Sequence, residues 1–348
     1  MKRILILAAV VLMAASCGHK NGPLPRGKAS AGLDEAFASY LEAVDSCKEE
    51  LHSIMVIQHG KVLKEKFFVP DTAHILHSVS KTFTSTAVGF AISEGLLNLE
   101  DRIVDLFPDS VPENASDTLK RVTIRHLLTM NSGHGTDPTF SVWTKDTDWV
   151  RGFMEWPIQF EPGTCYCYNS LGTYVLSAAV QKVTGEKVVD YLESRLWKPL
   201  GIEKPVWEES PAGINTGGWG LYLHTEDLAR MGLCILNGGK FRGKQVIPAE
   251  WVKEMSANQV PSCQAGTNLE LVRRKGVDPS GSDWLQGYGY QMWRCRHGAF
   301  RADGAKGQFI IILPEQDAVV VTTANIRNMQ QEINLIWDNI LPALESKK

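Results

Sequence analysis

Two apolar runs near the end of the chain, 308–313 (Gln-Phe-Ile-Ile-Ile-Leu) and 318–324 (Ala-Val-Val-Val-Thr-Thr-Ala), are joined by Pro314-Glu315-Gln316-Asp317. Turn-forming residues between two such runs read as a pair of adjacent strands. Upstream, 299–302 reads as another strand, and 288–293 alternates as a strand does. At the opposite end of the chain, 53–57 and 62–68 flank His59-Gly60-Lys61, which reads as a hairpin turn. Strands therefore lie at both ends of the sequence, and what lies between them has to be accommodated as an insertion.

That central block is mostly helical in pattern. Apolar residues recur at helical spacing in 33–51 and 84–97. They do so again in 122–130, with Thr123 as N-cap and Gly133 beyond its end, and in 171–183, 188–197, 228–236 and 248–255. A last amphipathic run spans 329–344. Residues 134–160 have no clean period and carry Trp143, Trp149 and Trp156, which suits a substrate-side wall or a lid. Residues 217–222, rich in glycine, read as a flexible turn, and 261–282 as a surface loop. The simplest arrangement is an α+β fold. One antiparallel sheet is built from both chain ends and covered by the terminal helices, with a helical subdomain inserted at about 85–250.

The 348 residues allow a sizeable core, and a net charge of −3 with interspersed signs gives no reason to expect a nucleic-acid partner. Residues 1–17 read as an export signal. Met1-Lys2-Arg3 is basic, 4–15 is apolar but short for a membrane span, and Ala14-Ala15-Ser16 precede Cys17. Small residues before a cysteine resemble a bacterial lipobox, which would make Cys17 a lipidated N-terminus. Leucine usually stands where this chain has Ala14. On that reading 18–32 is a tether, 33–348 is a single domain, and the protein is exported as a periplasmic or outer-membrane-anchored lipoprotein. It would touch the membrane only through its anchor. Export makes disulfides possible among the remaining Cys47, Cys165, Cys167, Cys234, Cys263 and Cys295, but the spacing selects no pairing. Cys165 and Cys167 read as small core or site-lining residues rather than as metal ligands.

One segment carries chemistry. In His77-Ser78-Val79-Ser80-Lys81, at the start of a helical run, Ser78 and Lys81 are three apart. That spacing puts hydroxyl and amine on one helix face, and a partly desolvated lysine can activate a serine nucleophile.

The segments that follow come in a recognisable order: His126-Leu127-Leu128-Thr129-Met130-Asn131-Ser132-Gly133, then Pro162-Gly163-Thr164 ahead of Tyr168, then Thr225-Glu226-Asp227-Leu228-Ala229. With Ser78-x-x-Lys81 they resemble the serine beta-lactamase and DD-peptidase superfamily, in its class C and esterase-like branch, over about residues 35–345. The resemblance implies a beta-lactamase/transpeptidase-like fold and an acyl-enzyme on Ser78, with no metal or other cofactor. It implies that Lys81 and Tyr168 move the proton. It also implies that the backbone N–H groups of Ser78 and Ala305 hold the oxyanion.

Two departures bear on the substrate. Where the family has Tyr-x-Asn, this chain has Tyr168-Asn169-Ser170, so Ser170 takes the Asn place with a shorter reach. Where the family has Lys-Thr-Gly or His-x-Gly, it has Ala302-Asp303-Gly304-Ala305. Gly304 keeps a close backbone approach, but the cation is missing and Asp303 brings a carboxylate. Arg301, Lys306 or His297 could compensate, or Arg301 and Asp303 could simply pair. A small-molecule or peptide substrate is implied. If no cation faces the site, a neutral or amine-bearing ester or amide fits better than a penicillin, and an esterase, amidase or D-Ala-D-Ala carboxypeptidase-like activity is favoured over a dedicated beta-lactamase. The alternatives are a class C-type beta-lactamase and, outside enzymes, an idle envelope-binding or sensing module.

Overall fold

The computed structural model describes residues 22–145, 147–262 and 279–344. Cys17, Cys263 and most of the 261–282 segment lie outside the described residues. In chain order the elements are α1 (Ala31–Ser46), β1 (Leu51–Gln58), β2 (Lys61–Phe67), β3 (His74–Ile75), α2 (Ser80–Ser93), α3 (Ile103–Leu106) and α4 (Ile124–Leu128). Then follow α5 (Thr139–Trp143), α6 (Trp149–Glu155), α7 (Ser170–Thr184), α8 (Val188–Leu192), α9 (Lys198–Leu200), β4 (Tyr222–Leu223) and α10 (Thr225–Leu236). The C-terminal part contributes β5 (Lys240–Phe241), β6 (Lys244–Gln245), α11 (Ala249–Ser256), β7 (Trp293–Arg294), β8 (Phe300–Gly304), β9 (Gln308–Leu313), β10 (Ala318–Ala324) and α12 (Met329–Leu335).

The main sheet has the order β2-β1-β10-β9-β8-β7 and is antiparallel throughout, so the N-terminal hairpin joins the C-terminal meander through the β1–β10 pair. Its central strands are buried on both faces, and the period-two geometry of a strand divides their side chains. Ile54, Val56, Phe309, Ile311 and Val320 face α1 and α12, packing with Leu33, Phe37, Tyr40, Ile333 and Trp337. Met55, Ile57, Ile310, Ile312, Val319 and Val321 face the helical block. This is the α+β sheet of both chain ends that the sequence predicts.

Helix α2 runs through the middle of that block and is buried on every side from Ser80 to Ala91. A helix enclosed all round is a rigid element, and it carries Lys81. Gly89 permits this burial, because a Cβ there would come within 2.4 Å of the Trp251 ring of α11.

Three expectations are corrected. Residues 288–293 do not form a strand. Tyr288 makes isolated bridges to Val260 and Trp293, and Gln291 takes φ +64°, so the sheet edge is reduced to β7. Residues 22–30, expected within a tether, lie on the body. Leu24 is buried, Arg26 bridges Val62 of β2, and Glu226 accepts from the Leu24 N–H at 2.7 Å and from Arg26 at 2.9 Å. The glycine-rich 217–222 segment is wedged between α2 and α7 rather than flexible. A Cβ on Gly217 would meet Ser177 Cβ at 2.7 Å and the Thr173 carbonyl at 2.9 Å. Among the described residues no helix is long and apolar enough to cross a membrane. Among the described residues Cys47, Cys167, Cys234 and Cys295 are free thiols.

Candidate active site

Ser78 sits in a single 3-10 turn, His77–Val79, that runs directly into α2. The turn is fixed from both sides. Leu76 N–H donates to the Leu221 carbonyl at 2.9 Å, and Ser80 Oγ donates to the His77 carbonyl at 2.6 Å and accepts from Leu221 N–H at 3.2 Å. His77 is held at φ +48°, a left-handed conformation uncommon for a residue with a Cβ. Ser78 is left half-exposed while its neighbours Val79, Ser80 and Lys81 are buried.

One turn on, Lys81 points back along its helix. Its Nζ donates to Ser78 Oγ at 2.9 Å, to Ser170 Oγ at 3.0 Å and to the Gly218 carbonyl at 2.7 Å. None of these partners is charged. Burial lowers the Lys81 pKa to about 7, only partly offset by the carboxylates of Asp137 and Asp303. A neutral amine has two N–H donors and one lone pair. Gly218 and Ser170 take the donors, which leaves the lone pair for the Ser78 hydroxyl.

Tyr168 is the next group at this site, and the Ser78 hydroxyl bears on its phenol, favouring the ionised form. Its ring stacks on Trp293 at 5.4 Å, meets Tyr288 edge-on at 6.3 Å, and lies 4.9 Å from Lys81 Nζ. Burial pushes its phenol well above the ordinary tyrosine value, with Asp303 and Asp137 adding to the rise. The phenol therefore stays protonated wherever Lys81 is neutral, and a neutral Lys81 next to a protonated Tyr168 is a base paired with an acid.

The Tyr168-Asn169-Ser170 departure divides the work between two residues. Asn169 is turned away as the N-cap of α7, accepting from Gly172 N–H at 3.0 Å, while Ser170 takes the contact with Lys81. On the facing strand, Gly304 presses against the turn that carries Ser78. A Cβ there would lie 2.2 Å from the Leu76 carbonyl and 3.2 Å from Val79 N, so only glycine fits. This contact sets the end of β8, with Ala305 next in the chain, against the turn that carries Ser78.

The missing cation is not replaced from Arg301. Arg301 and Asp303 are two apart on β8 and so share a face. Arg301 Nε donates to Asp303 Oδ2 at 2.8 Å, and NH1 donates to the Asp283 carbonyl at 2.7 Å and to Cys295 Sγ at 3.1 Å. The guanidinium lies 4.4 Å over the Trp284 ring. It is fully buried, contrary to its expected role as a substrate-binding cation. Asp303 is raised above the usual carboxylate range by burial, against the pull of Arg301 and Lys81. His297 is at the opposite end of β8, against Trp337. Lys306 is exposed on the β8–β9 turn, and its charge adds to the burial that lowers the His77 pKa.

The family model described as "Beta-lactamase" matches residues 48–345. The chain belongs to the Beta-lactamase family. The 6-aminohexanoate-dimer hydrolase of Paenarthrobacter ureafaciens is 27% identical over 312 residues, which cover 82% of this chain and 76% of that one. The solved structure of a penicillin-binding protein homologue from Caulobacter crescentus superposes with a TM-score of 0.69 at 16% identity, covering 91% and 99% of the two chains. EstCE1, a hydrolase with promiscuous acyltransferase activity, superposes with a TM-score of 0.67 at 18% identity, covering 88% and 99%. These two share the fold. This Beta-lactamase family member is thus a serine hydrolase of the class C-like branch.

Three parts of the site escape a reading of its sequence. Asp137 receives Ser170 N–H at 3.4 Å and Thr139 N–H at 3.0 Å, and bears electrostatically on Lys81. Gly218 contributes only a backbone carbonyl. Gln291 joins three helices. Its amide donates to the Leu127 and Leu128 carbonyls at 3.0 Å each, its side-chain oxygen accepts from Thr173 at 2.7 Å, and its backbone carbonyl accepts from Thr82 at 3.1 Å. The Thr173 and Thr82 contacts tie Gln291 directly to the two helices that carry Ser170 and Lys81.

Proposed function

We propose that this serine hydrolase cleaves a carboxylic ester or amide through an acyl-enzyme on Ser78. The observation that carries the reading is the 2.9 Å contact between Ser78 Oγ and a Lys81 amine whose pKa is brought to about 7. Lys81 takes the Ser78 proton as Oγ attacks the carbonyl. The N–H groups of Ser78 and Ala305 receive the developing oxyanion. Tyr168 gives its proton to the leaving group and is reprotonated from Lys81. Water then attacks the ester of Ser78 and loses a proton to the same pair, which passes it to Ser78 Oγ as the acid is released.

The flanking charges support a substrate that is neutral or cationic near its carbonyl. Asp137 and Asp303 bear on Lys81, and the nearby guanidinium of Arg301 is sequestered. A penicillin brings a carboxylate to that wall and is a poorer match. A relative named for hydrolysing the 6-aminohexanoate dimer favours an amide derived from an amino acid. The test compares kcat/KM for nitroanilides bearing an acyl-side amine or carboxylate, together with a chromogenic cephalosporin. The amine-bearing anilide should exceed the carboxylate-bearing one by at least about tenfold, the effect of ~1.4 kcal/mol of charge complementarity. A cephalosporin turned over faster than both would overturn the preference. Acylation without turnover of any of them would return the chain to a binding or sensing role.

The address of the enzyme rests on the sequence alone. On the reading of 1–17 as an export signal with Cys17 lipidated, the hydrolase works at the cell envelope. Incorporation of an alkyne-tagged fatty acid, lost in Cys17→Ala, is the matching measurement.

A further inference from the structure

The first described residues are pinned beside a basic hairpin. The Gly22 carbonyl accepts from Arg230 at 3.0 Å and from Arg242 at 2.9 Å. Just beyond it, Glu226 holds Leu24 and Arg26. Val62 N–H donates to the Pro25 carbonyl and its own carbonyl accepts from Gly27 N–H, both at 2.8 Å. Arg242 belongs to the turn of the β5–β6 hairpin. There Arg242 at φ +49° and Gly243 at φ +79° supply the left-handed pair that a two-residue turn requires. Phe241 is buried and fixes the hairpin to the core, while Lys240, Arg242 and Lys244 are exposed.

This corner of the molecule has one sign of charge. The segment 240–245 holds three cations and no acid, and residues 17–33 hold no acid either. Among the described residues no ion pair neutralises Lys240 or Lys244. The carboxylates nearest in sequence have partners of their own. Glu226 pairs with Arg26 at 2.9 Å and Arg230 at 2.7 Å, and Glu250 lies 3.8 Å from Lys253. Between the hairpin and α9 is a cleft of about 440 Å³ lined by Lys198, Phe241, Arg242, Lys244 and Val246, where cations stand beside apolar carbons.

Chain length decides what meets this corner. Cys17 and Gly22 are five residues apart, and a fully extended chain spans about 18 Å at most over that distance. Resting on the reading of Cys17 as the lipidated residue, we infer that the β5–β6 hairpin and Lys198 form a docking face for the anionic phospholipid headgroups of the bilayer that carries the anchor. Residues 22–27 are bound to the body, so the anchor does not let the molecule swing freely. Arg242, in contact with Gly22, is held within about two Debye lengths of the membrane surface. At that range headgroup phosphates attract Lys and Arg, and each cation that reaches the surface adds about fivefold to the docked population. The consequence is a fixed orientation of the Ser78 cleft relative to the bilayer.

The test reconstitutes the lipidated protein into vesicles of phosphatidylcholine alone or mixed with phosphatidylglycerol, and follows lysine labelling by an amine-reactive reagent with mass spectrometry. With phosphatidylglycerol present, labelling of Lys198, Lys240 and Lys244 should slow at least about threefold, while that of Lys120, which pairs with Asp117, stays unchanged. High salt should restore the labelling. The Lys240→Glu/Lys244→Glu variant changes only exposed side chains. It should keep its anilide kcat/KM, and its Lys198 should label at one rate on both kinds of vesicle. Equal labelling of the anchored wild type on both would overturn the docking face and leave the anchor and hydrolase readings standing. Protection by inorganic phosphate without phosphatidylglycerol would assign the cations to a free anion, and protection that scales with protein density would assign them to a contact between copies. Either result overturns the inference. A chain that incorporates no fatty acid at Cys17 removes the address reading and the inference with it.

Discussion

Lys81 Nζ lies 2.9 Å from Ser78 Oγ, and its other two partners, a serine hydroxyl and a carbonyl, are uncharged. This shell separates a base from a structural ion pair, because burial without a bonded anion lowers the amine to about 7. On the proposed mechanism activity requires the neutral amine. Its kcat/KM should rise with pH through an apparent pKa near 7 and level off above it, since Lys81 loses its proton in that direction. A pH–rate profile on a neutral ester reads this limb, and a profile already flat from pH 5 would contradict it.

The same shift carries a stability sign. With the folded pKa below the unfolded one, the unfolded chain binds more protons between about pH 7 and pH 10.5, so Lys81 makes stability rise with pH across that window. Lys81→Met keeps length without charge. It should abolish turnover by a factor on the order of 10² to 10⁴ and, compared with wild type, raise the urea midpoint at pH 7 while flattening its climb toward pH 10.

On the proposed mechanism Tyr168 acts on the leaving group, so its removal should discriminate between substrates. Tyr168→Phe keeps the stack on Trp293 and removes only the proton donor. A nitrophenyl ester expels a stable phenolate and needs little help, whereas an anilide must be protonated as it leaves. The anilide rate should fall at least tenfold further than the ester rate, and an equal loss on both would assign Tyr168 to positioning instead.

Much of this architecture is legible in the residue order. The bounds of β9 and β10 follow from their apolar runs and the Pro-Glu-Gln-Asp turn, and Thr123 does cap α4. Ser78, Lys81 and Tyr168 converge as their motifs imply. What stays hidden in the sequence is what only tertiary contact creates. Gly218 acts through a carbonyl and leaves no side-chain signature. Gln291 breaks an alternating run because its amide is needed by carbonyls 163 and 164 residues away. Arg301 is turned from the cleft by a cage of Trp284, Asp303, Asp283 and Cys295 that no local pattern announces.

That cage makes a prediction of its own. Arg301 is fully buried and Asp303 nearly so, so truncating one partner strands the other's charge. Asp303→Asn should destabilise the fold by about 3–5 kcal/mol. The double variant Arg301→Met/Asp303→Asn should recover a large part of that loss in urea titrations. Additive losses would mean that the pair is not coupled.

Gly304 tests the close approach of β8 to the nucleophile turn. A methyl group there meets the Leu76 carbonyl at 2.2 Å, so Gly304→Ala must push Ala305 away from Ser78. Loss of one oxyanion donor lowers kcat by about 10² to 10³, and KM should change far less. A variant that folds with kcat intact would remove Ala305 from the mechanism.

The covalent intermediate tests the central claim most directly. The protein is mixed with an activated ester, quenched in acid within the first turnover, digested and mapped by mass spectrometry. The acyl group should be found on the Ser78 peptide of the wild type and be absent from a folded Ser78→Ala variant that no longer turns over. An acyl group on another residue, or a folded Ser78→Ala variant that retains full activity, would contradict the account.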